Sequence, residues 1–324
     1  MRRREFITLI GGAAAWPLVA RAQQPEPPVV GFLRSTSAGD SMPFAAAFRH
    51  GLKEAGFVEG QNVAIEERYA DHQVDRLPVL VGDLLRRPVN VIVGNTLGAI
   101  AARAATTTVP IVFTTGSDPV KDGLVASLNR PGGNVTGISF LTGMLGPKRL
   151  EILRQLLPDV KTIAMLSSSV SSETVRERMD VQAAAQAIGQ RLLMLDVNNE
   201  REIEAAFDTL VESRVDALLV GTGPLHLSHR EKIATLEARH ALPTLYSQRD
   251  HALIGGLMSY GASIADAHRQ AGIYAARVLR GEKPADLPVM QATKFEFVIN
   301  LKTAKRLGLT IPIIMQMTAD EVIE

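Results

Sequence analysis

The chain has 324 residues, 46% of them hydrophobic and 21% charged, which is enough for a sizeable core and excludes a disordered or fibrous chain. Its net charge of +1 hides an asymmetry: Arg2, Arg3, Arg4, Glu5 and Arg21 all lie in the first two dozen residues, and without them 31 basic residues face 33 acidic ones, which excludes a basic nucleic-acid surface. The lack of cysteine excludes disulfides, thiolate zinc sites, cysteine nucleophiles and a lipid-anchored bacterial amino terminus.

The first segment, "MRRREFITLIGGAAAWPLVARAQQ", has a basic start, an apolar run from Phe6 to Ala20, and small residues at Ala20 and Ala22. This reads as a secretory signal peptide over residues 1–22, cleaved after Ala22, which places the mature protein in the periplasm. The "RREFI" at Arg3 to Ile7 resembles the twin-arginine consensus, although Arg2 stands where Ser or Thr is usual. The run falls short of the ~20 residues of a membrane span and is broken by Gly11, Gly12 and Pro17.

After the "QPEPP" spacer, "VVGFL" reads as a buried strand, and "FAAAFRHGLKEAG" sets Phe44, Phe48 and Leu52 on one helix face. A strand at "NVAIEERYA", a helix interrupted or started at Pro78, a strand at "VNVIVG", a helix at "LGAIAARAATT" and a strand at "VPIVF" follow. Strands of continuous Val and Ile alternating with helices predict an α/β fold with parallel sheets covered on both faces. A helix-like run, "VKDGLVASL", comes next. The rhythm restarts after Asn134 to Pro158, with strands at "KTIAMLS", "RLLMLDV", "VDALLVG" and "LPTLYS" and helices between them, one of which holds Ile203, Phe207, Leu210 and Val211 at helical spacing. Residues 262–280 read as a further helix, and "KFEFVINLKTAKRLG" as a strand and a short helix that the pattern assigns to neither lobe. Two α/β lobes in series are expected: 28–139 with the C-terminal chain crossing back, 140–285, and a crossing strand and terminal helix over 286–324.

In open parallel sheets, ligands bind beyond the carboxyl ends of the strands. Those positions hold "RSTSAGDS", "GNT", "TTGSDP", "SSSVSS", "GTGPLH" and "SQRD", all small, hydroxyl-rich or glycine-containing. Free backbone N–H groups and hydroxyls at helix starts suit an anion such as a carboxylate, and the same residue types also serve as ordinary N-caps. The candidate ligand-binding residues are Ser35, Thr36, Ser37, Asn95, Thr96, Thr115, Ser117, Asp118, Ser168, Thr222 and Arg249, with the aromatic Phe140, Tyr246 and Tyr260 near the cleft. Asp118 has two readings. Its carboxylate meets a ligand ammonium, or it caps the helix-like run after Pro119.

The block "ATTTVPIVFTTGSDPVKDGLVASLNRPGGNVTGISF", with "FRHGLKEAGFVEGQNVAIEERYA" and "GGLMSYG", resembles the ABC-transporter substrate-binding protein family of the tryptophan- and tyrosine-uptake type, over about Pro28 to Met317. The resemblance implies a two-lobe type I periplasmic-binding-protein fold, each lobe a parallel sheet flanked by helices. It places hinges near Ile138–Leu141, Ser247–Gly255 and Leu287–Gln291. It implies a monomer that closes on a small solute and delivers it to a permease with a separate ATPase subunit. One departure stands out: where many relatives carry an Asn-Pro loop after the first strand of the second lobe, this chain has "LSSSVSS".

No phosphate-binding P-loop and no G-x-S-x-G nucleophile elbow occurs. "GTGPLH" lacks the third glycine of a dinucleotide fingerprint, "RPGGN" reads as a turn, and His226 and His229 lack a third metal ligand. The expectation is a solute-binding protein without cofactor, metal or catalysis, for a carboxylate-bearing ligand such as an aromatic or branched amino acid. An exported enzyme on the same two-lobe scaffold is the alternative.

Overall fold

The computed structural model describes residues 26–140, 142–169 and 172–324; the expected signal segment lies outside them. In chain order the first part contains β1 (Val29–Arg34), α1 (Ala38–Glu54), β2 (Ala64–Tyr69), α2 (Leu77–Leu85), β3 (Val89–Asn95), α3 (Thr96–Ala105), β4 (Ile111–Thr115) and β5 (Val135–Ser139). The middle contains α4 (Gly146–Leu156), β6 (Thr162–Ser167), α5 (Ser172–Ala187), β7 (Arg191–Asp196), α6 (Glu200–Glu212), β8 (Ala217–Val220), α7 (Pro224–Ser228), α8 (Arg230–His240), β9 (Thr244–Tyr246), α9 (Arg249–Leu253) and β10 (Met258–Ala262). The chain ends with α10 (Ile264–Leu279), β11 (Met290–Gln291), β12 (Phe295–Asn300), α11 (Leu301–Arg306), α12 (Ile313–Thr318) and β13 (Glu321–Ile323).

Two sheets result, in the orders β11-β5-β4-β3-β1-β2 and β13-β12-β10-β9-β8-β6-β7. Among the described residues all strand pairs are parallel except β10 with β12. The apolar strands are buried on both faces, as in β4 and β6, because helices cover each side. Pro78 falls at the start of α2, where its missing N–H costs no helical bond.

The chain's path departs from two lobes in series. It leaves the first sheet after Ser139, returns at Ser263 between β10 and α10, and crosses again between Gln291 and Phe295. The segment 264–291 therefore sits on the first lobe, although 140–285 was expected to form the second. The middle crossing lies at Ser263, beyond the expected Ser247–Gly255. The reason is packing: Ala267, Ala271, Tyr274, Ala275 and Ala276 of α10 share one core with Phe48 and Leu52 of α1 and with Val30, Phe32 and Val93 of the first sheet. The helix-like run after Pro119 is a series of turns instead, since Gly123 takes a φ of +68° and Leu124 and Val125 N–H both return to the Pro119 carbonyl.

Candidate ligand-binding cleft

The carboxyl ends of both sheets face each other across a cavity of about 100 Å³. Arg34, Thr36, Phe44, Asn95, Thr96, Thr114, Gly116 and His268 wall it from the first lobe. Thr142, Glu173, Thr222, Gly223, Leu227 and Gln248 wall it from the second, with Phe140 and Ile264 at the crossings.

Arg34 ends the apolar strand β1 and is only 6% exposed. One guanidinium N–H donates to His268 Nε2 at 2.7 Å, and the group lies 5.4 Å from the Phe44 ring centroid and 6.0 Å from that of Phe32. His268 donates its Nδ1–H to the Ile264 carbonyl at 2.8 Å, which leaves Nε2 as the acceptor, and Thr114 Oγ1 lies 3.2 Å from the same nitrogen. Burial, and then the Arg34 charge, push His268 down to about 3, so the imidazole is neutral. Arg34 itself is pushed down to about 10 by burial, against a smaller upward effect of Tyr69. It forms no ion pair among the described residues, and its Nε is buried without a hydrogen-bond partner. A buried cation without a counter-ion is costly, and an incoming carboxylate would relieve that cost.

The hydroxyls around it are ordered by one another. Asn95 donates to Ser35 Oγ at 2.6 Å and accepts from the Ser35 N–H, Thr36 pairs with Ser41 at 2.8 Å, and Thr96 pairs with Thr115 at 2.9 Å. Ser37 caps α1 by accepting from the Asp40 N–H. Thr115 pairs with Ser117 at 2.7 Å, and Ser117 donates to Asp122.

Behind the opposite wall, Glu177 is buried, ion-paired with the buried Arg149, and accepts from both the N–H and the hydroxyl of Thr222 at 2.7 Å. Arg149 also donates to the carbonyls of Tyr260 and Thr142. Glu173, one turn earlier on α5, lays its carboxyl against Gly116 of the first lobe, where a Cβ would stand 2.1 Å from Oε1. Desolvation, Glu177 and Asp122 push the Glu173 carboxyl up to about 8, against Arg149.

Beside the cleft, a polar clasp joins the lobes. Asp40 Oδ1 accepts from Arg230 at 3.3 Å, Oδ2 accepts from His72 at 3.0 Å, and Ser228 Oγ lies 3.4 Å from the same His72 nitrogen. Desolvation opposes its charge, yet hydrogen bonds from Ser37, His72 and Arg230 hold the Asp40 carboxyl below its ordinary value.

Of the residues singled out in the sequence, Thr36, Asn95, Thr96, Phe140 and Thr222 line the cavity, and Ser35, Ser37 and Thr115 bond within the network beside it. Ser117 and Asp118 line a second cavity of about 670 Å³ that shares Gly116 and Glu173 with the first. Asp118 Oδ1 accepts from the N–H groups of Val120 and Lys121, the capping geometry of a turn. Four residues stand off the cavity wall. Ser168 bonds Asn198 at 3.0 Å, and Arg249 pairs with Glu321 and Glu296. Tyr260 meets Phe297 edge-on, and Tyr246 is wholly buried with its hydroxyl on Glu237 and its ring stacked on His251. The loop "LSSSVSS" lies partly outside the described residues. Sequence reasoning named none of Arg34, Glu173, Gln248 and His268, although Arg34 and Gln248 fall inside the loops "RSTSAGDS" and "SQRD". The available signal was Arg34, a charge closing the otherwise apolar run "VVGFLR".

The model of the ABC transporter substrate binding protein family matches residues 38–323. A tyrosine-binding protein of Clostridioides difficile is 27% identical over 263 residues, 81% of this chain and 75% of that one. Among solved structures, an ABC domain from Streptococcus pneumonia in complex with L-Trp is 28% identical with a TM-score of 0.83, covering 92% of this chain and all of that one. A conserved domain protein from Vibrio cholerae is 25% identical with a TM-score of 0.84 over the same shares. A Bacillus halodurans solute-binding protein holding myo-inositol is similar in fold alone, at 13% identity and a TM-score of 0.62 over 87% of this chain and 97% of that one. With the family model running over most of its length and both lobes built as these neighbours build theirs, the chain belongs to the ABC transporter substrate-binding protein family, on a type I periplasmic-binding-protein fold.

Proposed function

We propose that this protein is the exported, periplasmic solute-binding component of an ABC importer, taking an aromatic amino acid into the interlobe cleft and presenting it to a permease served by a separate ATPase subunit. The observation that carries the reading is Arg34: a buried guanidinium in the cleft wall, engaged among the described residues by a neutral imidazole and aromatic faces, is built to receive a carboxylate. Phe44 and Phe140 supply apolar surface beside it, and the relatives named for tyrosine and L-Trp favour an aromatic side chain. A cavity of about 100 Å³ is smaller than the ~300–1,000 Å³ of ordinary ligand pockets, so such a ligand enters by parting the lobes.

Calorimetry of the refolded, ligand-stripped protein with L-tryptophan, L-tyrosine, L-leucine and neutral sugars tests this. Saturable binding of an aromatic amino acid is the expected result, and binding of an uncharged sugar alone overturns the proposal.

A further inference from the structure

The cavity walls hold one carboxyl and one permanent cation among the described residues, and they face each other from different lobes: Glu173 at the first turn of α5 and Arg34 at the end of β1. If the carboxylate of an amino acid meets Arg34, its ammonium group needs an acceptor, and every other polar group on the second-lobe wall is a neutral hydroxyl or amide. We propose that Glu173 accepts the ligand's ammonium group, and that its carboxyl gives up its proton to solvent as the ammonium arrives. This rests on the amino-acid reading above and deepens it: the zwitterion is held at both ends.

The charges around Glu173 explain why the proton is there to be lost. Glu177 lies one turn along α5, but its charge is already matched by Arg149 of α4. Asp122 approaches from the first lobe and adds a second anion. The nearby cations are engaged elsewhere: Arg176 on Asp180, and Lys121 3.9 Å from Asp118. On the far wall, Arg34 leans on the neutral His268. A carboxyl desolvated among like charges holds its proton at neutral pH, in keeping with its rise to about 8. A ligand ammonium within hydrogen-bond reach reverses that balance by favouring the ionised form. Gly116 belongs to the same device, because its missing side chain lets the carboxyl reach the first lobe. A ligand bound at both ends therefore ties the lobes together.

Binding coupled to the loss of one proton strengthens up to tenfold per pH unit below about pH 8 and levels off above it. The test compares L-tryptophan with 3-(indol-3-yl)propionate, which keeps the ring and carboxylate but lacks the ammonium group. It keeps the contact with Arg34, so titrations tied to that end of the cleft are common to both compounds. The expected result is a steep rise in L-tryptophan affinity from pH 6 to 7.5, a flat profile for the des-amino acid, and release of close to one proton in calorimetry at pH 6.5 in buffers of different ionisation heat. Glu173→Gln copies the protonated form and keeps the melting temperature of the ligand-stripped protein at pH 6.5. In that variant the slope and the proton release disappear, and L-tryptophan binding at pH 8 weakens by roughly tenfold or more. A flat L-tryptophan profile, equal slopes for the two compounds, or undiminished binding by Glu173→Gln overturns the role of Glu173 and leaves the amino-acid reading standing. Failure of both compounds and of L-tyrosine to bind the wild-type protein overturns that reading, and this inference with it.

Discussion

Arg34 occupies a position that stability alone would not choose. A guanidinium shut away from water, with an imidazole and two phenyl rings around it, costs free energy that a packed apolar side chain would not. Arg34→Met should therefore raise or leave unchanged the melting temperature of the ligand-stripped protein, while weakening L-tryptophan binding by roughly ten- to a hundredfold; a variant that loses stability and keeps affinity would make Arg34 a structural residue. Asp118 is the opposite case. Its carboxylate caps two backbone N–H groups, its side chain is 44% exposed, and Asn caps about as well. Asp118→Asn should shift stability by at most a few tenths of a kcal/mol and leave L-tryptophan affinity unchanged in the same titration. The sequence alone decides neither role. A single Arg after an apolar strand and an Asp before Pro are both commonplace, and only the fold reveals which of them is wrapped by aromatic rings. Tyr246 misleads for a related reason: Leu245 and Tyr246 pack into different cores on the two faces of β9, and the tyrosine takes the face toward Glu237.

Among the elements, the strands and the positions of their loops were legible, because buried parallel strands write themselves as unbroken runs of Val, Ile and Leu. The lobe to which α10 belongs was not. Its alternation of apolar and polar residues would serve equally against either sheet, and what assigns it is a close contact that no periodicity encodes. A Cβ on Gly51 of α1 would stand 1.8 Å from the Arg269 carbonyl oxygen, and one on Gly272 of α10 would stand 2.3 Å from that of Phe48. The two helix backbones touch there. Gly51→Ala must push α10 away from α1 and should destabilise the protein by about 1–3 kcal/mol in denaturant unfolding. Because α10 also carries His268, it should lower L-tryptophan affinity as well.

At the scale of the whole molecule, closure and pH response follow from contacts that span the lobes. Within the clasp, the contacts of Arg230 with Asp40 and of Ser228 with His72 exist only when the lobes meet. Partly exposed ion pairs contribute ~0.2–1 kcal/mol, so Arg230→Ala should weaken L-tryptophan binding by up to about fivefold, seen as faster dissociation, and small-angle scattering should show a larger radius of gyration for the ligand-stripped variant. Thermal stability should peak near pH 6.5. Above that value, Glu173 and Glu237, both raised to about 8 with desolvation the leading cause, keep protons that the unfolded chain has lost, so stability falls as pH rises toward 8. Below it, His226, His251 and His268 are lowered by burial, the last two to about 4 and about 3, so the unfolded chain takes up protons that the folded one refuses, and stability declines toward acid. Melting temperatures from pH 5 to 8 check this, and Glu237→Gln should remove about half of the alkaline decline. The three crossings of the chain reach further still, into the order of synthesis. The first sheet receives its edge strand only at Gln291, and the second only at Ile323. A ribosome that has finished the first 140 residues has made most of a lobe that lacks the helix covering Phe48 and Leu52, and the same exposed face would appear on any fragment cut at the first crossing. Neither half can be expressed as a domain by dividing the gene at one point, and a nascent chain must be shielded from aggregation until about nine-tenths of it has been made.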